Sequence, residues 1–204
     1  MIEHQLSRCN DIIRFKPNDP HGYIRRGMVY FKLARIDESI QDFDFAEKLD
    51  RTLTPYLWPR GLSYYYAQRF LEGANQFEID LTVNYQDVEE TVWRYLCIAR
   101  MKGVAEARSS LLTVKNDPRP IMQHVYDFYA GNCSPDDLIA AGKLDGKRGE
   151  FYSHLYLGLY YEVDSQVQQA SEYIVKAADE YQIDDYMWHL AQVHKMLLVV
   201  DCYH

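Results

Sequence analysis

The side chains able to do chemistry are few and scattered. Seven histidines occur: His4, His21, His124, His154, His189, His194 and His204. A helical metal site wants two histidines four residues apart, so that both rings leave one face. His189 and His194 are five apart with no third ligand nearby, and read as polar-face or capping residues. The four cysteines, Cys9, Cys97, Cys133 and Cys202, are widely spaced and form no CxxC pair. That usage fits reduced thiols in the cytoplasm or another reducing compartment better than a disulfide frame. Cys97, inside TVWRYLCIARM, has the spacing of a small buried hydrophobe rather than of a nucleophile. Asp136 and Asp137 are adjacent, so their carboxylates diverge on a helix; they suit a first turn, where the helix dipole favours them. No GxGxxG or GxxxxGK[ST] phosphate loop and no GxSxG elbow occurs. These residues predict no enzyme, no metal and no cofactor.

The totals narrow the partners. A chain of 204 residues with net charge -8 is long enough for one domain with a real core. It is also acidic enough to repel a phosphate backbone, so nucleic acid is not expected. The densest acidic stretch, IDESIQDFDFAEKLD at 36–50, reads as a solvated helix face. No apolar run reaches the ~20 residues of a membrane helix. MIEHQLSRCNDIIRF shows no apolar secretory core, and Cys9 lacks the small residue and apolar run that lipidation requires.

The elements that position these groups repeat. Gly27 and Gly61 are 34 residues apart, as are Tyr30 and Tyr64, Ser39 and Gly73, and Phe43 and Phe77. One unit spans 20–53 and the next 54–87; Arg26 and Arg60 both stand where Leu is usual in such a pattern. A third good unit, 151–184, carries LGLYYE and QASEYIVKAA, with Gly158, Tyr161, Ala170, Ile174 and Ala177. Residues 88–121 fit weakly, keeping Ala107 and Leu111. Glycine removes a side chain where two helices cross, although it costs ~1 kcal/mol of helix propensity. Tyrosine then fills the gap, and Phe43, Phe77 and Ile174 cover the seam. One such pair of helices cannot bury its own apolar face, so pairs stack.

This pattern resembles the tetratricopeptide repeat family, over nearly the whole chain. The order of units, with an insert at 122–150 before LGLYYE, is similar to the branch that contains the bacterial lipoprotein NlpI. The resemblance implies an all-α fold of roughly ten helices, an α-α superhelix forming one domain over 1–204. Residues 2–16 would be the second helix of a first repeat, and DYMWHLAQVHKMLLVV at 185–200 a closing helix. Within the insert, IMQHVYDFYAG predicts one helix and SPDDL starts another, with Ser134 as cap and Pro135 at its first turn. GKLDGKRG, 142–149, reads as a mobile loop.

The family also implies a groove lined by one face of each first helix, holding a protein or peptide. By family position that face carries Ile24, Met28 and Phe31 in the first unit. Trp58, Leu62, Tyr65 and Tyr66 follow in the second, and Leu96 and Arg100 in the third. The cationic clamp of co-chaperones that grip acidic C-terminal tails has no counterpart, since its positions hold Ile24, Met28, Pro59, Glu89 and Trp93. The run YLWPRGLSYYYAQRF at 56–70 therefore divides: Tyr64 and Phe70 are expected in the core, and Trp58, Tyr65 and Tyr66 on the groove. Pro59 lacks an amide donor, which places the helix start near Trp58. The expected function is a protein-interaction scaffold with an aromatic groove. Two alternatives stand beside it: an enzyme or regulatory subunit with a site built by the insert, and a chain that self-associates through its closing helix. That helix is apolar over a wide arc of Met187, Leu190, Val193, Leu197, Leu198 and Val200.

Overall fold

A computed structural model of the chain describes residues 2–201, with side chains described up to residue 198. Cys202, His204 and the side chain of Val200 lie outside the described residues. Every described element is helical. The chain forms two compact units, Met1–Tyr85 and Gln86–His204. No described helix is long and apolar enough to cross a membrane.

The N-terminal unit contains α1 (Ile2–Phe15), α2 (Pro20–Lys32), α3 (Ile36–Leu49), a 3-10 turn (Arg51–Tyr56), α4 (Trp58–Tyr66) and α5 (Phe70–Asp80). Helices adjacent in sequence pack on one another. Asp19 caps α2 by accepting from the His21 amide, and Pro20 opens it, where a missing N–H loses nothing. The glycine spacing has the physical meaning expected. A Cβ on Gly27 would meet the Phe43 ring at 3.1 Å, and one on Gly61 would meet the Phe77 ring at 2.7 Å. The two hairpins also turn alike. The Arg35 amide donates to Tyr30 O at 2.9 Å, and the Arg69 amide to Tyr64 O at 2.8 Å. Each turn places a residue in the left-handed region, Ala34 at φ 56° and Gln68 at φ 58°.

The C-terminal unit contains α6 (Val88–Lys102), α7 (Val104–Ser109), α8 (Pro120–Ala130), α9 (Pro135–Leu144), α10 (Gly146–Val163), α11 (Val167–Asp179) and α12 (Tyr186–Asp201). The α10–α11 hairpin repeats the same turn. Gln166 donates to Tyr161 O at 2.8 Å, Ser165 has φ 63°, and a Cβ on Gly158 would meet Ile174 at 2.7 Å. The weakly patterned 88–121 stretch also yields a pair, α6 with α7. Its second helix stops at Ser109, so Leu111 lies beyond it. The hydroxyls of Ser109 and Ser110 both donate to Glu106 O at 2.9 Å, offering that carbonyl a local alternative to further helix.

The insert forms the two helices read from its sequence. Ser134 and Asp137 make a reciprocal capping box at the start of α9. The segment 142–149 corrects the expectation of a mobile loop. It is the end of α9 and the start of α10, and only Gly146, at φ 67°, makes the bend. Gly142 and Gly149 are buried where the two helices cross: a Cβ on Gly149 would lie 2.5 Å from Gly142 O. Those glycines mark close packing, not flexibility. The closing helix packs on α11 and buries Met187, Leu190 and Val193.

Candidate functional site

In the N-terminal unit the expected groove residues separate by depth. Phe31, Leu62 and Tyr65 are interior, at 0 %, 1 % and 5 % exposure. Ile24, Met28, Trp58 and Tyr66 are half-buried. The aromatic side chains form a chain of edge-on contacts, Phe31 to Tyr66 at 5.4 Å, Tyr66 to Tyr65 at 5.5 Å, and Tyr65 to Phe70 at 5.4 Å. Tyr65 therefore belongs to the packing between helices rather than to a surface. The helix α4 does begin at Trp58, with Pro59 in its first turn. Tyr64 is buried under Arg69, 4.5 Å from its ring centre, and its hydroxyl donates to Asp44 at 3.2 Å. Phe70 is half-buried.

The two arginines standing in place of Leu hold the hairpins together. Arg26 donates to both oxygens of Asp42 at 2.7 Å, and to Asn10 at 3.0 Å. Arg60 repeats the arrangement 34 residues on: Nε and Nη2 reach Gln76 Oε1, and Nη1 reaches Asp44 at 3.1 Å. In each case the partners lie 16 residues before and 16 after the arginine. Arg94, in the C-terminal unit, donates at that same forward offset to Ser110 O at 3.0 Å. The signal was present in the sequence as an arginine every 34 residues with a polar side chain 16 further on. Arg60 also binds Glu47 through both terminal nitrogens, which holds that carboxyl below its ordinary range. Beyond Gln76 the network ends at Asp80, fully buried, where Gln76 Nε2 donates to Oδ1 at 2.7 Å and Oδ2 has no partner. Burial pushes this carboxyl up to about 7, against the pull of Gln76 and Arg60.

In the C-terminal unit, titratable groups converge at the start of α6. Asp87 caps that helix by accepting from the Glu90 amide at 2.9 Å, and Asp117 accepts from the Val88 amide at 3.1 Å. Arg119 joins three carboxylates: Asp87 at 3.3 Å, Asp117 at 2.7 Å, and Glu89 in a short contact. Burial raises the Glu89 carboxyl to about 7 despite Arg119, and the Tyr156 hydroxyl donates to it at 2.7 Å. Alongside, Tyr152 and Arg148 both donate to Asp185, at 3.1 and 2.5 Å. Each cation here is already committed to a carboxylate. The arrangement can hold a proton on Glu89 and clasps α6, α10 and the start of α12. Of the expected groove residues in this unit, Leu96 is fully buried, and Arg100 is exposed, 3.6 Å from Glu162.

The remaining chemical candidates resolve into packing. Cys97 is fully buried and its thiol is pushed up by burial, in line with the reading of a small hydrophobe. His194 corrects the polar-face reading: it is 3 % exposed and 3.7 Å from Glu162, and burial lowers its pKa. His154 lies 3.4 Å from the Ser153 hydroxyl, but its Nδ1 is 2.7 Å from Glu150 O. A nitrogen that donates to a carbonyl is not free to take a proton from serine. A pocket of about 470 Å³ between α8 and α9 is lined by Ile121, His124 and Leu144, and its Asp137 is occupied by the capping box.

No model of a known protein family matches the chain, and no curated protein is significantly similar to it.

Proposed function

We propose that the chain is a protein-interaction scaffold of the tetratricopeptide type, its hairpins stacking as that family's superhelix does. It would hold a peptide or protein along the half-buried face of α2 and α4. The observation that carries this reading is the threefold repetition of one hairpin, α2–α3, α4–α5 and α10–α11. All three share the amide-to-tyrosine-carbonyl bond, the left-handed turn residue and the glycine under an aromatic or Ile. Stacked hairpins of this kind present extended concave surfaces, which supports a binding role. The contacts fall to Ile24, Met28, Trp58 and Tyr66, because Phe31, Leu62, Tyr65 and Leu96 are interior. Half-buried aromatic and Met side chains suit binding, since they offer apolar area already held in place. The α8–α9 insert before α10 supports the resemblance to the NlpI-containing branch.

The test is site-specific photo-crosslinking in living cells. A crosslinker at Met28 should capture a partner, whereas one at the exposed Phe45 of α3 should not. With the crosslinker at Met28, Ile24→Glu on the same face should abolish the capture while leaving the thermal melt unchanged. Equal capture from both positions, or capture indifferent to Ile24→Glu, overturns the assignment.

A further inference from the structure

The end of α1 and the start of α2 enclose a surface pocket of about 620 Å³. Its apolar part is Ile12 with Phe15, whose side chain is 88 % exposed. Three cations line it, Arg8, Lys16 and Arg25, and among the described residues none of their side chains makes a hydrogen bond or ion pair. That is unlike Arg26, Arg35, Arg60 and Arg69 of the same unit, each of which holds a carboxylate. The two acids at the pocket are already used: Asp11 pairs with Arg14 at 3.3 Å, and Asp19 caps α2 through the His21 amide at 3.0 Å. The pocket is therefore a positive, partly apolar spot on a chain of net charge -8. Its field reaches inward: burial pushes the Cys9 thiol up, and Arg25 and Arg8 of the pocket pull against that push.

We propose that this pocket docks an acidic segment of a partner protein, with an apolar side chain against Phe15 and Ile12 and carboxylates on Arg8, Lys16 and Arg25. Guanidinium groups match carboxylates with two parallel hydrogen bonds, and an exposed ring beside them supplies the apolar anchor. Three cations on an acidic chain are too few for a nucleic-acid backbone, which would meet repulsion everywhere else. The surface is distinct from the α2–α4 face of the preceding section. It is also distinct from the missing clamp for C-terminal tails, whose positions are Ile24, Met28 and Pro59 in this unit.

The probe is a dye-labelled peptide rich in Asp and Glu with one central Leu, blocked at both ends, read by fluorescence anisotropy on the whole chain. Its Asn/Gln isostere is the control. Binding should weaken about tenfold or more with Arg8→Glu or Arg25→Glu, and again with added salt, as surface charge pairing requires. Phe15→Ser should weaken it too, while Met28→Glu leaves it intact. Circular dichroism should show all four variants folded. Absence of binding, equal binding of the isostere, or loss with Met28→Glu alone overturns the proposal. So does a concentration-dependent dimer that Arg25→Glu dissolves in the absence of peptide binding, because the occupant is then a second copy of the chain.

Discussion

Replacing Asp80 by Asn should reverse sign between acid and neutral pH. The carboxyl is fully buried, held by Gln76 on its own helix and drawn electrostatically by Arg60 from α4, with Oδ2 unpartnered. Burial lifts it from its ordinary 3.8 to about 7. In that interval the folded chain holds a proton that the unfolded chain has released. Stability is therefore full below the unfolded value and is lost as pH rises toward 7, levelling above it. A gap of about three units corresponds to at most about 4 kcal/mol over the whole range. Between pH 5 and 8 the wild type should lose about 2–3 kcal/mol relative to Asp80→Asn, which cannot ionise. The Asn side chain leaves two N–H groups without an acceptor where the neutral acid leaves one O–H, an added penalty of about 1–3 kcal/mol that does not vary with pH. The variant should thus be no better than wild type at pH 5 and should gain steadily toward pH 8. Urea unfolding followed by circular dichroism at several pH values reads the difference. Glu89, also raised to about 7, tilts both proteins alike and cancels. A stability difference that stays constant from pH 5 to 8 refutes the argument that Asp80 is buried as the neutral acid.

Other outcomes follow from the packing. Arg60→Ala leaves buried Gln76 and the half-exposed Glu47 and Asp44 without their shared cation, and should cost about 2–3 kcal/mol in denaturant unfolding; a loss under 1 kcal/mol would show the network to be dispensable. Gly61→Ala drives a methyl into the Phe77 ring and should destabilise by about 1–3 kcal/mol, more than the helix propensity it gains; Phe77→Leu in the same chain should recover most of the loss. Tyr65→Ala should cost about 3–5 kcal/mol and Tyr66→Ala clearly less, as thermal melts will show. Brief trypsin treatment should cut at Lys115, in the helix-free stretch between α7 and α8, before Lys143 or Lys147. First cleavage at Lys143 or Lys147 would restore the reading of 142–149 as a loop.

Much of the architecture was legible because the 34-residue offset records a local constraint. Gly27 and Gly61 exist to admit Phe43 and Phe77, and each pair lies within one hairpin, so its spacing in sequence is its spacing in space. The caps at Asp19 and Ser134 and the start of α4 at Trp58 are local for the same reason. What depended on distant neighbours was hidden. Tyr64, Tyr65 and Tyr66 are adjacent and chemically identical; which of them becomes interior is decided by where Phe31, Phe70 and Arg69 are placed around them. GKLDGKRG has the composition of a loop, yet Gly142 and Gly149 serve a helix crossing that only the fold brings about. The meeting of Glu89 with Arg119 and Tyr156 spans 30 and 67 residues, with no period to announce it. The proton affinity of Asp80 likewise belongs to no motif, because it is set by the water excluded around the carboxyl, and that exclusion exists only in the folded chain.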